Sequence, residues 1–182
     1  MKSILNGFDA TRGTLLLFAE SQEYCDESIK EYFLARGFSL KNEHHVTIVG
    51  NSSGKEISNF WESLSPSSRI RAITGFRHLV CSFDWNFSLL DEYFRLIKDY
   101  SSSDISDKRE TIIRLIDLPC LEEFYRKLNR MFSFTIPLPV PVAHITLFAK
   151  GTHFKNYLQG IGVRSKEQLE KVTVEKLAFN GE

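Results

Sequence analysis

The sequence predicts an α+β fold in which one strand–helix–strand unit occurs twice. Three observations carry this. Short apolar runs, the mark of buried strands, alternate with stretches whose apolar residues recur at helical spacing. Each unit ends in a strand bearing His-x-Thr, first at His45–Ile48 (HVTI) and then at His144–Leu147 (HITL). The first strand of each unit precedes its histidine by a similar interval, 30 residues from Leu15 to His45 and 32 from Ile112 to His144. The approximate units span 12–50 and 109–150 of a 182-residue chain, a length for one domain.

In order, Thr14–Ala19 is an apolar run and reads as a strand. Glu23–Arg36 places Ile29, Phe33 and Leu34 on one helical face and stops at Gly37. His45–Val49 is the second strand. The polar Ser52-Ser53-Gly54 reads as a turn into a helix over Lys55–Leu64. The β-branched and aromatic character of Arg71–Phe83 predicts one or two strands, and the spacing of Leu89, Leu90, Tyr93, Phe94 and Ile97 predicts a helix up to Tyr100. Ser101–Asp107 (SSSDISD) has no period and reads as a loop between the halves, or as a plain surface loop. The unit then recurs: strand Thr111–Leu118, helix Leu121–Phe132, an extended stretch enforced by Pro137, Pro139 and Pro141, and strand Ala143–Ala149. A helix near Ser165–Glu170 and a strand near Val172–Phe179 close the chain.

Lys plus Arg and Asp plus Glu are both 23, so the net charge is zero. A protein that coats long nucleic acid carries a basic excess, so no such partner is expected. Cys25, Cys81 and Cys120 are odd in number and widely spaced, which reads as free thiols in a reducing compartment. The apolar runs are too short for a signal peptide or a membrane span, so the expectation is a cytoplasmic monomer.

The chemistry lies in the two His-x-Thr strands. Residues i and i+2 of a strand share a face, so His45 projects with Thr47 and His144 with Thr146, each pair backed by core-facing aliphatics. An imidazole titrates near neutrality, so one ring can accept a proton while a second donates one. A threonine hydroxyl can donate a hydrogen bond to a phosphoryl oxygen. Two such pairs facing each other suit in-line displacement at phosphorus without a metal.

This pair of motifs, on strands 99 residues apart, resembles the 2H phosphoesterase superfamily, which includes RNA ligase-like proteins and 2′,3′-cyclic nucleotide phosphodiesterases. The resemblance implies two pseudo-symmetric α+β lobes, each a small, mostly antiparallel sheet with flanking helices, around a central cleft. It implies His45 and His144 as the acid–base pair and Thr47 and Thr146 as phosphate-binding hydroxyls. It also implies no cofactor, a small nucleotide or RNA end as substrate, and a 2′,3′-cyclic phosphate as the simplest case. Ligation of 2′,5′ ends and cleavage of a cyclic oligonucleotide are alternatives within the superfamily. A nucleotide-binding module without turnover is the alternative outside it.

Other residues carry weaker signals. Arg12, Lys150 and Tyr157 flank the motif strands and are candidate substrate contacts, with surface packing as the plain alternative. His44 has the opposite strand polarity to His45 and is expected to point away from the cleft, while His153 reads as a loop residue. A zinc site would use His44, His78 or His153 as further ligands, but no Asp, Glu or Cys accompanies them at ligand spacing. Gly160–Val163 lacks the helix and spacing of a phosphate-binding glycine loop.

Overall fold

The computed structural model describes residues 3–5, 8–9, 13–19, 24–102, 106–152 and 159–179. The elements are β1 (Ser3–Leu5), β2 (Leu15–Ala19), α1 (Glu27–Leu34), β3 (Ser39–Leu40), β4 (His45–Val49), α2 (Asn51–Glu62) and α3 (Pro66–Cys81). They continue as β5 (Ser88–Asp99), β6 (Lys108–Asp117), α4 (Cys120–Phe132), β7 (His144–Gly151), α5 (Lys166–Val172) and β8 (Thr173–Leu177). The fold is α+β. One antiparallel sheet runs β1-β2-β4-β7-β6-β5-β8, and β3 pairs with β7 off that path.

The centre of the sheet is its thinnest join. β4 and β7 share one registered pair among the described residues, Val46↔Ile145, and both side chains are fully buried. On either side the ladders are longer. β4 pairs with β2 through Phe18↔His45, Leu17↔Val46 and Leu16↔Thr47, then slips, so that Val49 meets Leu15 and Ile48 is passed over. β7 pairs with β6 through Leu115↔His144, Arg114↔Ile145 and Ile113↔Thr146, then slips, so that Phe148 meets Ile112 and Leu147 is passed over. The carbonyl of Ile48 accepts a hydrogen bond of 2.9 Å from the Tyr125 hydroxyl, which ties α4 to this irregular point of β4.

Two apolar clusters hold the elements. The larger gathers Val46, Ile48, Ile145 and Leu147 with residues of α1 to α4, among them Phe33, Trp61, Phe76 and Phe124. Its rings meet largely edge to face, as their quadrupoles favour. The smaller joins Leu96 and Ile113 to Ile161, Val163 and Val172. It seats the 161–163 segment and α5 on the sheet near Thr146, because Ile113 is the partner of Thr146.

Several expectations are corrected. Arg71–Phe83 lies mostly in α3, not in strands: Ile73, Phe76, Leu79 and Val80 follow helical spacing, and Pro66 sits in the first turn, where its missing N–H costs nothing. Leu89–Tyr100 is not a helix but β5. β5 carries apolar residues on both faces, Leu89 and Tyr93 in the larger cluster and Phe94 and Leu96 in the smaller, and the resulting adjacent apolar pairs imitate a helical stripe. Of Ser101–Asp107, residues 103–105 lie outside the described residues; β5 and β6 on either side of it pair with each other up to Asp99↔Lys108, so it joins two strands of one ladder. Ser52, Ser53 and Gly54 are the first turn of α2, which begins earlier than Lys55 with Gly50 as N-cap. α1 is shorter than expected and is followed by Gly37 at φ +76°, a left-handed conformation that glycine adopts without a Cβ clash.

Candidate active site

Strand alternation places the first two functional side chains. In β4 the odd positions share a face, and the Val46↔Ile145 register brings the corresponding face of β7 beside it. Carried one residue each way, that register sets His45 next to Thr146 and Thr47 next to His144. The histidines thus occupy one diagonal of a square and the threonines the other, with diagonal spacings typical of sheets, roughly 7–8 Å between backbones. All four side chains line one depression of about 140 Å³, together with Lys41, Glu43, Gly160, Ile161 and Gly162.

The two histidines differ. His144 is 8% exposed and sits 2.7 Å through Nδ1 from the Val142 carbonyl. A carbonyl only accepts, so Nδ1 carries the proton and the neutral ring offers its lone pair at Nε2. Burial pushes the His144 pKa down from its ordinary value, and the bond to Val142 opposes that. The orienting carbonyl is itself held in place. Asn129 of α4 donates 3.0 Å to the Leu138 carbonyl and accepts 2.8 Å from the Leu138 N–H, pinning the proline-rich stretch that leads to Val142.

His45 is partly buried, its ring centroid 5.8 Å from that of Phe18, and its Nδ1 has no hydrogen-bond partner among the described residues. Its pKa is also lowered, first by burial, then by the positive charge of Lys41 and by His144, while Glu43 pulls the other way. Both rings are therefore biased towards the neutral form while the depression holds no anion.

Gly160 lies against Thr146. A Cβ built on Gly160 would stand 3.0 Å from Thr146 Oγ1, so the absent side chain leaves that hydroxyl its room. Gly160 and Gly162 border the site without forming a glycine loop of the nucleotide-binding type. Lys41 and Glu43 lie in the connection that precedes β4, outside any strand alternation, so the sequence pattern carried no signal for them.

The weaker candidates separate. Lys150 lies in another depression with Tyr32, Arg36 and Phe38, and its Nζ donates 3.1 Å to the Arg36 carbonyl. The slip after Thr146 breaks the alternation of β7, so counting by twos from His144 does not carry Lys150 to the histidine face. Arg12, Tyr157 and His153 lie outside the described residues. His44 lines neither this depression nor the adjoining one. Its Nδ1 sits 3.3 Å from the Thr146 carbonyl and its ring packs 4.7 Å from that of Tyr24.

Among the described residues, no three His, Cys, Asp or Glu side chains converge as a metal-ligand set. Cys25, Cys81 and Cys120 are all free. No helix among the described residues is long and apolar enough to cross a membrane. Comparison with protein-family models, with curated proteins and with solved structures gives no match.

Proposed function

We propose that this chain is a metal-independent phosphodiesterase of the 2H type. It would hydrolyse a small nucleotide or RNA-end phosphodiester, in the simplest case a 2′,3′-cyclic phosphate. The observation that carries this reading is the convergence of His45, Thr47, His144 and Thr146 on one depression. In-line displacement needs the attacking and leaving oxygens on opposite sides of phosphorus, and two histidines on one diagonal supply that arrangement. The threonines on the other diagonal would donate to the non-bridging oxygens as charge develops on them.

The tautomer of His144 favours it as the base. Its Nε2 would take a proton from water as the water oxygen bonds to phosphorus. Protonated His45 would give its Nε2 proton to the ribose oxygen as the P–O bond breaks, and the bound phosphodiester anion would offset the cost that burial sets on its charge.

The two-lobe, pseudo-symmetric arrangement belongs to the same proposal. In its support, β2–β4 and β6–β7 each carry His, an aliphatic residue and Thr in register, and each slips immediately afterwards, at Ile48 and at Leu147.

The direct test is turnover of nucleoside 2′,3′-cyclic phosphates by the purified protein in EDTA. Sustained hydrolysis is expected. Tight binding without turnover across a panel of such substrates would return the binding-module alternative, and strict metal dependence the zinc one.

The pH dependence has a defined sign. The base must be neutral and the acid protonated, so kcat/KM peaks between the two free-enzyme pKa values. Both are lowered, which puts that peak on the acid side of about 6.5, the ordinary histidine value. Bound phosphate raises both, so the kcat profile lies at higher pH. A kcat/KM that climbs steadily to pH 9 would contradict the assignment.

Gly160→Ala tests the hydroxyl arrangement. The added methyl displaces Thr146 Oγ1 by a few tenths of an ångström, and kcat/KM is expected to fall roughly tenfold with little change in melting temperature. Unchanged kinetics would remove Thr146 from the phosphate site.

A further inference from the structure

The histidine depression opens onto a second one of about 230 Å³, and the two share Thr47, His144 and Gly162. The second is walled by Pro139, Pro141, Val142 and Val163, and two cations, Lys98 and Arg164, reach it from different elements. Among the described residues no Asp or Glu lines it. Histidine aside, the first depression sets Lys41 against Glu43, so the pair of cations without a carboxylate is particular to the second.

Charge pairing elsewhere on the same strands makes this pointed. Arg95, Arg109 and Arg114 of β5 and β6 each bond a carboxylate, from Glu110, Asp107 and Asp91 respectively. Lys98, also on β5, has no ion-pair partner among the described residues, and neither has Arg164.

Both cations sit on fixed supports. Lys98 Nζ lies 4.6 Å from the centroid of the Tyr100 ring, over which Arg109 also lies at 4.3 Å. Tyr100 is therefore a platform for cations more than an open face for a base. The Arg164 N–H donates 2.8 Å to Gln168 Oε1, while the Gln168 N–H donates 3.2 Å to Ser165 Oγ, a reciprocal cap that sets the turn bearing Arg164. Two unpaired, positioned cations in a cavity without carboxylates favour an anionic group, and the apolar wall beside them suits a ribose or base.

We infer that Lys98 and Arg164 bind a second phosphate of the ligand, one nucleoside away from the phosphate held between His45 and His144. This rests on the phosphodiesterase reading for the identity of the first phosphate and extends it to substrate class. The preferred ligand would be a nucleotide carrying two phosphate groups, bound more tightly than a mononucleoside cyclic phosphate that reaches only the histidine depression. The second group has two possible sources, a terminal phosphate or the internucleotide phosphate of an RNA end.

Binding separates these cases without requiring turnover. Calorimetry on the full chain would compare adenosine 3′-monophosphate, adenosine 3′,5′-bisphosphate and the dinucleotide ApA with a 3′-phosphate. At least one of the last two is expected to bind tenfold or more tightly than the monophosphate, with a steeper loss in salt. A gain for the bisphosphate alone identifies a terminal phosphate, and a gain for the dinucleotide identifies an RNA end. The advantage is expected to shrink to within threefold in Lys98→Gln/Arg164→Gln. Equal affinity for all three ligands would overturn the inference, as would an advantage that persists in the folded double variant. If the variant does not fold, the wild-type comparison still decides. Preferential binding with no hydrolysis of the corresponding cyclic phosphates would sink the hydrolytic reading and leave the second-phosphate site standing.

Discussion

His144→Ala is expected to lower kcat on a 2′,3′-cyclic nucleotide by about 10³-fold, and His45→Ala by a similar factor, within the usual range for general acid–base groups. The expectation follows from their placement at opposite corners of one depression. Alanine at 144 also leaves the Val142 carbonyl without the Nδ1 donor it has at 2.7 Å, a cost to stability of about 1 kcal/mol. Melting temperatures of the variants should therefore stay near that of the parent protein.

The residual pH profiles distinguish the roles. The base must lose its proton before it acts, so removing His144 should abolish the fall in rate at acid pH. Removing His45, the proposed acid, should abolish the fall at alkaline pH. The double variant should be little worse than either single one, because the groups act as a unit. Full activity in both single variants would sink the pair as the catalytic centre.

Gly54→Ala carries the largest expected effect on stability. A Cβ at this position would lie 1.7 Å from the Gly13 carbonyl oxygen, and that neighbour is backbone. Gly13 is at φ +61°, a left-handed conformation its missing Cβ permits, and in it the carbonyl lies against α2. Two effects oppose one another. Alanine gains at most about 1 kcal/mol over glycine in helix propensity, the value for a helix interior, and Gly54 sits in the first turn. Separating α2 from the chain at Gly13 costs about 3 kcal/mol or more. The clash wins, and the melting temperature should fall by roughly 5–10 °C. Gly162→Ala is the control: its Cβ would meet nothing within 4 Å, so stability should change by no more than about 0.5 kcal/mol. A Gly54→Ala protein as stable as the Gly162→Ala one would show that the approach of Gly13 to α2 is not fixed.

Apolar spacing separates strand from helix only when one face of the element is buried. β5 is apolar on both, with Leu89 and Tyr93 in the larger cluster and Phe94 and Leu96 in the smaller, so a strand imitates a helix. In α3 the reverse holds: Ile73 and Val80 favour strands by shape, yet their spacing and burial are helical. Lys150 flanks the second motif strand, but the slip after Thr146 turns it to the face opposite His144. Gly160 matters for the room it leaves Thr146, which no motif records.

Local sterics already put His45 on one face with Thr47, and His144 with Thr146, because side chains alternate along a strand. That those faces meet, through Val46↔Ile145, and that Gly160, Lys98 and Arg164 border them, depends on how distant elements pack. Pairing between residues a hundred positions apart is selected by the burial of Val46 and Ile145 among helices from both halves of the chain, and no local period encodes that choice.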